Sequence, residues 1–169
     1  MIGLVPHPQT PGGAVRGVHA AAARASDGML ALHYRIEADL DRLRVPAPRA
    51  PAIGEHLWQH LCCEIFVAPA PACAYQEFNF SPSGEWAAYA FQKYREGAPW
   101  RAPDPKIAVR RTGQELELEA RIEVQPARLR VALCAVIEER DGRLSYWALR
   151  HPAARPDFHH PDGFTLELD

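Results

Sequence analysis

Lysine is almost missing from this chain: Lys93 and Lys106 are its only two. The other positive charge is arginine, scattered along the sequence, and it reads as genomic codon bias rather than phosphate recognition. The 19 basic and 21 acidic residues leave a net charge of −2. That near balance gives no electrostatic reason to expect nucleic acid or an anionic membrane as a partner. No run approaches the roughly 18 apolar residues a membrane span requires. Residues 1–13 lack a basic start followed by an apolar core, so no secretory signal is read and a cytoplasmic location is the expectation. The four cysteines are Cys62, Cys63, Cys73 and Cys134, with no Cys-x-x-Cys among them. They read as reduced, mostly buried thiols, and their spacing is wrong for zinc. Also missing are Gly-x-Ser-x-Gly, a Gly-x-Gly-x-x-Gly after a strand, and a phosphate-binding loop, so enzyme chemistry is thinly supported. Internal repeats, heptads and low-complexity tracts are absent too.

What is present is strand patterning. The 169 residues, 47% of them apolar, suit one domain with a real core. Residues 1–13, rich in Pro and Gly, read as an extended lead-in. Val15 to Ala23 is weakly strand-like. Met29 to Asp39 alternates cleanly, and Asp27-Gly28 before it predicts a hairpin. Gln114 to Val124 alternates most strictly, with Leu116, Leu118, Ala120 and Ile122 opposite Glu115, Glu117, Glu119 and Arg121. Its acidic row reads as a solvated sheet face rather than a metal site. Leu129 to Glu138 is apolar on both phases and predicts a strand covered on both sides. Arg140 to Arg143 makes a turn into Leu144 to Leu149, and Phe164 to Leu168 closes the chain. The Pro-rich segments 46–52 and 97–105 read as loops, the second carrying Trp100 as the tryptophan expected to be exposed. About nine strands without a long amphipathic helix predict an all-β fold, a two-sheet antiparallel β-sandwich in preference to a barrel.

Functional residues concentrate between Leu57 and Tyr94. Read as one strand, Leu57 to Val67 puts Trp58, His60, Cys62, Glu64 and Phe66 on one face. In the next run Tyr75, Glu77, Asn79 and Ser81 share a face. If the two runs pair, Glu64, Glu77 and Asn79 converge. A carboxylate or amide inside such apolar runs is solvated, hydrogen-bonded or functional, because an unsatisfied buried one costs roughly 1–3 kcal/mol. In the third run Trp86 and Ala88 alternate with Ala87, Tyr89 and Phe91, and small residues beside large ones leave room for a groove.

These residues carry a resemblance. Trp58-x-x-x-Cys62-x-Glu64-x-Phe66, the run Tyr75 to Gly84, Trp86, the segment Tyr146 to Pro152 and the segment Pro156 to Phe164 resemble the carbohydrate-binding module family 9 and DOMON-like superfamily, in a bacterial single-domain branch. The resemblance runs from about Met29 to the end. It implies an immunoglobulin-like or jelly-roll sandwich, of a kind that binds sugars or haem in extracellular relatives.

Sugar recognition needs aromatic faces and polar groups for hydroxyls. The expected site is therefore the face of Trp58, Glu64, Glu77 and Asn79, rimmed by Trp86, Trp147, Arg150 and His160. The ligand expected there is a carbohydrate or similar small polar molecule, bound without catalysis. Each residue also has a structural reading: tryptophans of a sandwich pack its core, Glu64 can pair with an arginine, and Asn79 can build the turn at Ser81–Gly84. Two alternatives stay open. Glu64 with Glu77 could hydrolyse a glycan if their carboxyl groups stand roughly 5–10 Å apart. His151, Asp157, His159 and His160 could serve a metal or a haem, although Met1 and Met29 give a Met/His haem pair little to draw on. No cofactor is expected, with haem the exception to test.

Overall fold

Side chains that alternate between an apolar and a polar environment dictate strands over most of this chain, and the computed structural model, which describes residues 1–169, is all-β. Thirteen strands follow one another: β1 (Ile2–Pro6), β2 (Val15–Arg24), β3 (Leu30–Ala38), β4 (Ala52–Ile53), β5 (Cys62–Pro69), β6 (Tyr75–Phe80), β7 (Glu85–Lys93), β8 (Glu96–Pro99), β9 (Lys106–Thr112), β10 (Glu115–Ile122), β11 (Leu129–Glu138), β12 (Leu144–Ala148) and β13 (Leu166–Leu168). The only helical pieces are three short 3₁₀ turns. No helix is long and apolar enough to cross a membrane.

The strands do not form two separate antiparallel sheets as expected. Eleven of them make one continuous path, β4-β7-β6-β5-β11-β12-β1-β2-β3-β10-β9, which curls into a half-barrel, with β13 paired to β11 and β8 to β7 beside it. The reason lies in residues 1–13, which are not merely a lead-in. Ile2, Gly3 and Leu4 of β1 pair with β2, whereas Val5 and Pro6 pair with β12, so one short strand joins two edges that would otherwise stay apart. Pro6, with no N–H to give, is the last residue of β1. The sheet is also mixed, because β4 runs parallel to β7. Gly97 to Pro99, read as loop, belongs to β8 and pairs with β7. Trp100, expected to be exposed, is half-buried and packs edge-on against Phe78.

The curl brings the flank β2-β3-β10 against the flank β5-β6-β7-β11. Between them lies the main core, which includes Leu32, Tyr34, Ile36, Leu118, Ile65, Phe78 and Leu133. β10 keeps its predicted phases: Leu116, Leu118, Ala120 and Ile122 are buried, and within the opposite acidic row Glu117 pairs with Arg110. β3 and β2 form the predicted hairpin, whose turn needs the positive φ of Gly28 (82°). β11 is covered on both sides, as expected. Val131, Leu133, Ala135 and Ile137 enter the main core, and Ala132 and Cys134 enter a second apolar cluster with Phe66, Tyr75 and Phe164.

One polar bond crosses the main core. Fully buried Tyr34 donates its hydroxyl proton to the backbone carbonyl of Glu64 at 2.6 Å, tying β3 to β5. The bond fixes the height of β5 against the opposite flank, and so the position of the Glu64 side chain on the other face. Tyr34→Phe should lower the unfolding free energy by about 1–2 kcal/mol in urea denaturation, the cost of a lost buried hydrogen bond. An unchanged midpoint would mean the bond carries no stability.

Candidate functional site

Because strand side chains alternate, the flank that buries Ile65 and Phe78 inward must present Glu64, Phe66 and Glu77 outward. Register then assembles the site. Glu64 stands opposite Asn79 and Phe66 opposite Glu77, while Glu77 stands opposite Tyr89 and Tyr75 opposite Phe91. On the other side of β5, Val136 of β11 stands opposite Tyr146 of β12. Of these, Glu64, Phe66, Glu77, Tyr89, Phe91, Val136 and Tyr146 floor a hollow of about 370 Å3. Trp58, on a 3₁₀ turn, forms one wall, and Pro156, Phe158 and His159 form another. Arg95, from the β7–β8 turn, completes the lining.

Of the residues expected from sequence, Trp58, Glu64 and Glu77 line this hollow together. Asn79 is buried directly behind, where its amide donates to Glu77 Oε1 at 2.9 Å. The other four do not line it. Trp86 and Trp147 are 3% and 6% exposed in the main core, and the Trp147 indole N–H is satisfied by Ser145 Oγ at 2.9 Å. Arg150 is exposed beyond the end of β12. His160 caps the 3₁₀ turn Pro161–Gly163, its Nδ1 accepting from the Asp162 N–H. Trp58 and His60 are also not on a strand: Leu57–Gln59 is a 3₁₀ turn, and β5 begins at Cys62.

Sequence reasoning left Tyr89, Phe91, Tyr146, Phe158 and Arg95 out of the expected sugar site, and it named His159 only for a metal or haem. A signal existed for Tyr89 and Phe91. The tight turn at Ser81–Gly84 sets Phe80 opposite Trp86, which puts Trp86 on the core phase and Tyr89 and Phe91 on the phase of Glu77. His159 and Arg95 sit in irregular segments, where no period assigns a face.

Burial governs the electrostatics. Glu64 is 2% exposed and its Oε1 has no hydrogen-bond partner. Burial, reinforced by the nearby Glu77 charge, pushes its carboxyl well above the usual carboxylate range. Burial lifts Glu77 to about 7, against the opposing pull of the Asn79 amide and the Arg95 charge. Burial drives His159 down to about 4, with Arg95 adding to the shift and Asp157 opposing it. His159 is therefore neutral near pH 7. Its Nε2 lies 3.7 Å from Glu77 Oε2, which makes a polar contact and not an ion pair.

The Tyr75 hydroxyl accepts from the Arg95 backbone N–H at 3.1 Å and shares a hydrogen bond of 2.8 Å with His159 Nδ1. That bond holds the imidazole with Nε2 facing Glu77. Asp157 anchors the same wall, accepting from the Arg95 guanidinium at 2.8 Å and from the Tyr94 hydroxyl at 2.6 Å. The two non-glycine residues with left-handed backbone are both here: Arg95 (φ 56°) lines the hollow, and His56 (φ 53°) packs edge-on against Trp58. The hollow thus offers an unpartnered carboxyl oxygen (Glu64 Oε1), a second one at Glu77 Oε2, an imidazole and several ring faces. That set can exchange hydrogen bonds with hydroxyls while stacking on C–H faces.

No family model matches the sequence, and no curated protein matches it significantly. Solved structures do. A candidate carbohydrate-binding protein from Bacteroides uniformis superposes with a TM-score of 0.73 at 16% identity, covering 99% of this chain and 85% of that one. A carbohydrate-binding module of family 9 from Caldicellulosiruptor kristjanssonii, in complex with glucose, gives 0.54 at 10% identity, covering 90% and 75%. The same source's module with cellotriose gives 0.52 at 11%, covering 89% and 74%. These likenesses establish a fold like that of the family 9 modules.

Two opposite stability slopes follow from the shifted groups. Glu77 holds its proton more tightly when folded, so its contribution is full below about pH 4.5 and is lost as pH rises through about 7. His159 resists protonation when folded, so its contribution is present above about 6.5 and is lost as pH falls through about 4. Glu77→Gln should flatten the fall in stability between pH 5 and 8, a term on the order of 3 kcal/mol at about 1.4 kcal/mol per pH unit. His159→Gln should flatten the fall below pH 6.5. Urea denaturation across pH reads both, and profiles parallel to the wild type would refute the assignments.

Proposed function

We propose that this protein is a noncatalytic carbohydrate-binding module that takes a small sugar in the hollow walled by Trp58 and floored by Glu64 and Glu77. In this reading the two flanks of the curled sheet act as the layers of a β-sandwich, and the ligand lies on the outer layer. The observation that carries the proposal is the pairing of unsatisfied buried polar atoms with an open aromatic wall. Glu64 Oε1 lacks a protein partner, and Trp58 is 43% exposed. Both features are unfavourable for an empty surface and useful to a hydroxyl-rich ligand with apolar ring faces. Support also comes from the neighbours of like fold, two of them family 9 modules seen with glucose and cellotriose.

The size agrees. A hollow of about 370 Å3 lies near the lower end of the roughly 300–1,000 Å3 range of small-molecule sites. It suits one or two sugar rings rather than a long chain. A haem reading finds less to use, since the imidazole lining the hollow has Nδ1 engaged with Tyr75 and Nε2 turned to Glu77. Hydrolysis by Glu64 and Glu77 remains the competing chemical reading, because both carboxyls are raised and neighbouring, as acid catalysts are.

Trp58 gives the readout, since Trp86 and Trp147 are sealed in the core and Trp100 is half-buried against Phe78, outside the lining of the hollow. A screen of neutral mono- and oligosaccharides should find one that shifts tryptophan emission and protects it from acrylamide. Trp58→Ala should weaken that sugar at least about tenfold, roughly 1.4 kcal/mol, by titration calorimetry, with an unchanged melting temperature. No sugar binding, or full affinity in Trp58→Ala, would reject the module. Release of reducing sugar from the bound oligosaccharide would favour hydrolysis instead.

A further inference from the structure

Beside the first hollow lies a second, of about 280 Å3, and the two share His159. Its character is opposite. The first is floored by two buried carboxyl groups, whereas the second has none in its lining and carries Lys93 and Arg130 with the rings of Tyr94 and Phe164. Neither cation is consumed by a strong partner. Arg130 reaches only the Ala72 carbonyl, at a marginal 3.5 Å, and the adjacent Glu167 is taken by Arg128. Lys93 meets Glu96 at 3.0 Å, but both side chains are 64% exposed, and such a surface pair yields readily to a competing anion.

Resting on the carbohydrate reading above, we propose that the second hollow is a subsite for an anionic sugar unit, so that the preferred ligand is a short acidic glycan with a neutral ring over Glu64 and Glu77 and a charged ring between Lys93 and Arg130. The order of the two units follows from charge. A carboxylate in the first hollow would face Glu77 as it ionises near neutral pH, and in the second it meets two cations and no carboxylate in the lining. Tyr94 and Phe164 give the ring an apolar face, and the lysine and guanidinium give its acid group charge-assisted hydrogen bonds. Cys73 lines this hollow and is the only exposed thiol, Cys62, Cys63 and Cys134 being buried, so its reactivity reports whether the space is filled.

The test compares cellobiose with cellobiouronic acid, its counterpart carrying a carboxylate on the non-reducing ring, and includes inorganic phosphate as a free anion. The acid disaccharide should bind at least about tenfold more tightly than the neutral one at low ionic strength, and the advantage should shrink as salt screens it. It should also slow thiol labelling of Cys73, at lower concentration than cellobiose does. Lys93→Gln with Arg130→Gln should abolish the preference while keeping the affinity for cellobiose. Equal affinities in the wild type, or a preference that survives in the double variant, would overturn the subsite and leave the carbohydrate reading standing. Phosphate that protects Cys73 as well as the acid disaccharide does would also overturn it, because the hollow would then be a general anion site. Binding of neither disaccharide would overturn both proposals.

Discussion

Phe66 pins the C-terminal segment to the sheet, and the outer hollow depends on that contact. Its ring lies on the outward face of β5 and packs against Phe158, His159 and Phe164 at centroid distances of 6.4, 5.0 and 6.1 Å, with Tyr75 beside it at 6.3 Å. Residues 150–165 have almost no regular structure of their own. Without this aromatic cluster they would lack a reason to lie over β5 and β6, since loop backbone gains little by ordering unless side chains bury area. With it, His159 stands beside Glu77 and Tyr75, and the outer face becomes a walled space rather than an open sheet. Tyr75 contributes twice, because it also stacks on Phe91 at 4.7 Å with the rings 8° from parallel.

The wall changes the chemistry of what it covers. On an open sheet, Glu64 and Glu77 would be ordinary solvated carboxylates. Under cover they lose water, and their mutual repulsion is no longer screened. Burial raises both carboxyl groups above the usual carboxylate range and leaves His159 neutral near pH 7, so the inner part of the hollow carries less negative charge than two solvated carboxylates would. Hydrogen-bond donors and acceptors remain, yet no strong field attracts ions from solution. A neutral, hydroxyl-bearing ligand suits such an interior better than a metal ion does, and no three His, Cys, Asp or Glu side chains converge in a way that would hold a metal. Arg95, the one arginine lining this hollow, is paired with Asp157, whereas Lys93 and Arg130 line the neighbouring one.

Sequence was informative where periodicity or a tight turn constrains a residue. β3, β10 and β11 were legible with their faces, since each has a strict phase and a buried partner on the other flank. Convergence of Glu64, Glu77 and Asn79 was legible for the same reason: the hairpin of β5 and β6 leaves them on one side. The tryptophans were not. An indole has the same composition whether it walls a ligand or fills a core, and only register shows that Trp86 and Trp147 turn inward. Choosing His160 over His159 failed for a simpler reason, in that adjacent loop residues have no period to separate them. The curl itself was hidden in β1, whose Pro-rich neighbourhood reads as irregular although its five residues serve two neighbours in turn.

The same alternation therefore divides labour across β5, β6 and β7. Inward residues such as Ile65, Phe78 and Trp86 carry stability, and outward residues carry the hollow. Because each strand is hydrogen-bonded on both sides, the outward side chains inherit the rigidity of the sheet, and the hollow's floor is preorganised before any ligand arrives. Trp58 and the segment around His159 are the exceptions. They sit on short irregular pieces held by aromatic contacts, and they are the parts able to adjust to a ligand's outline. In the carbohydrate reading proposed above, a fixed polar floor with aromatic walls on irregular segments leaves room for ring substituents at the rim while demanding one hydroxyl pattern at the base. Discrimination should therefore come from Glu64, Glu77 and His159, and affinity from the rings, because buried polar groups penalise a mismatched partner far more than stacking faces do.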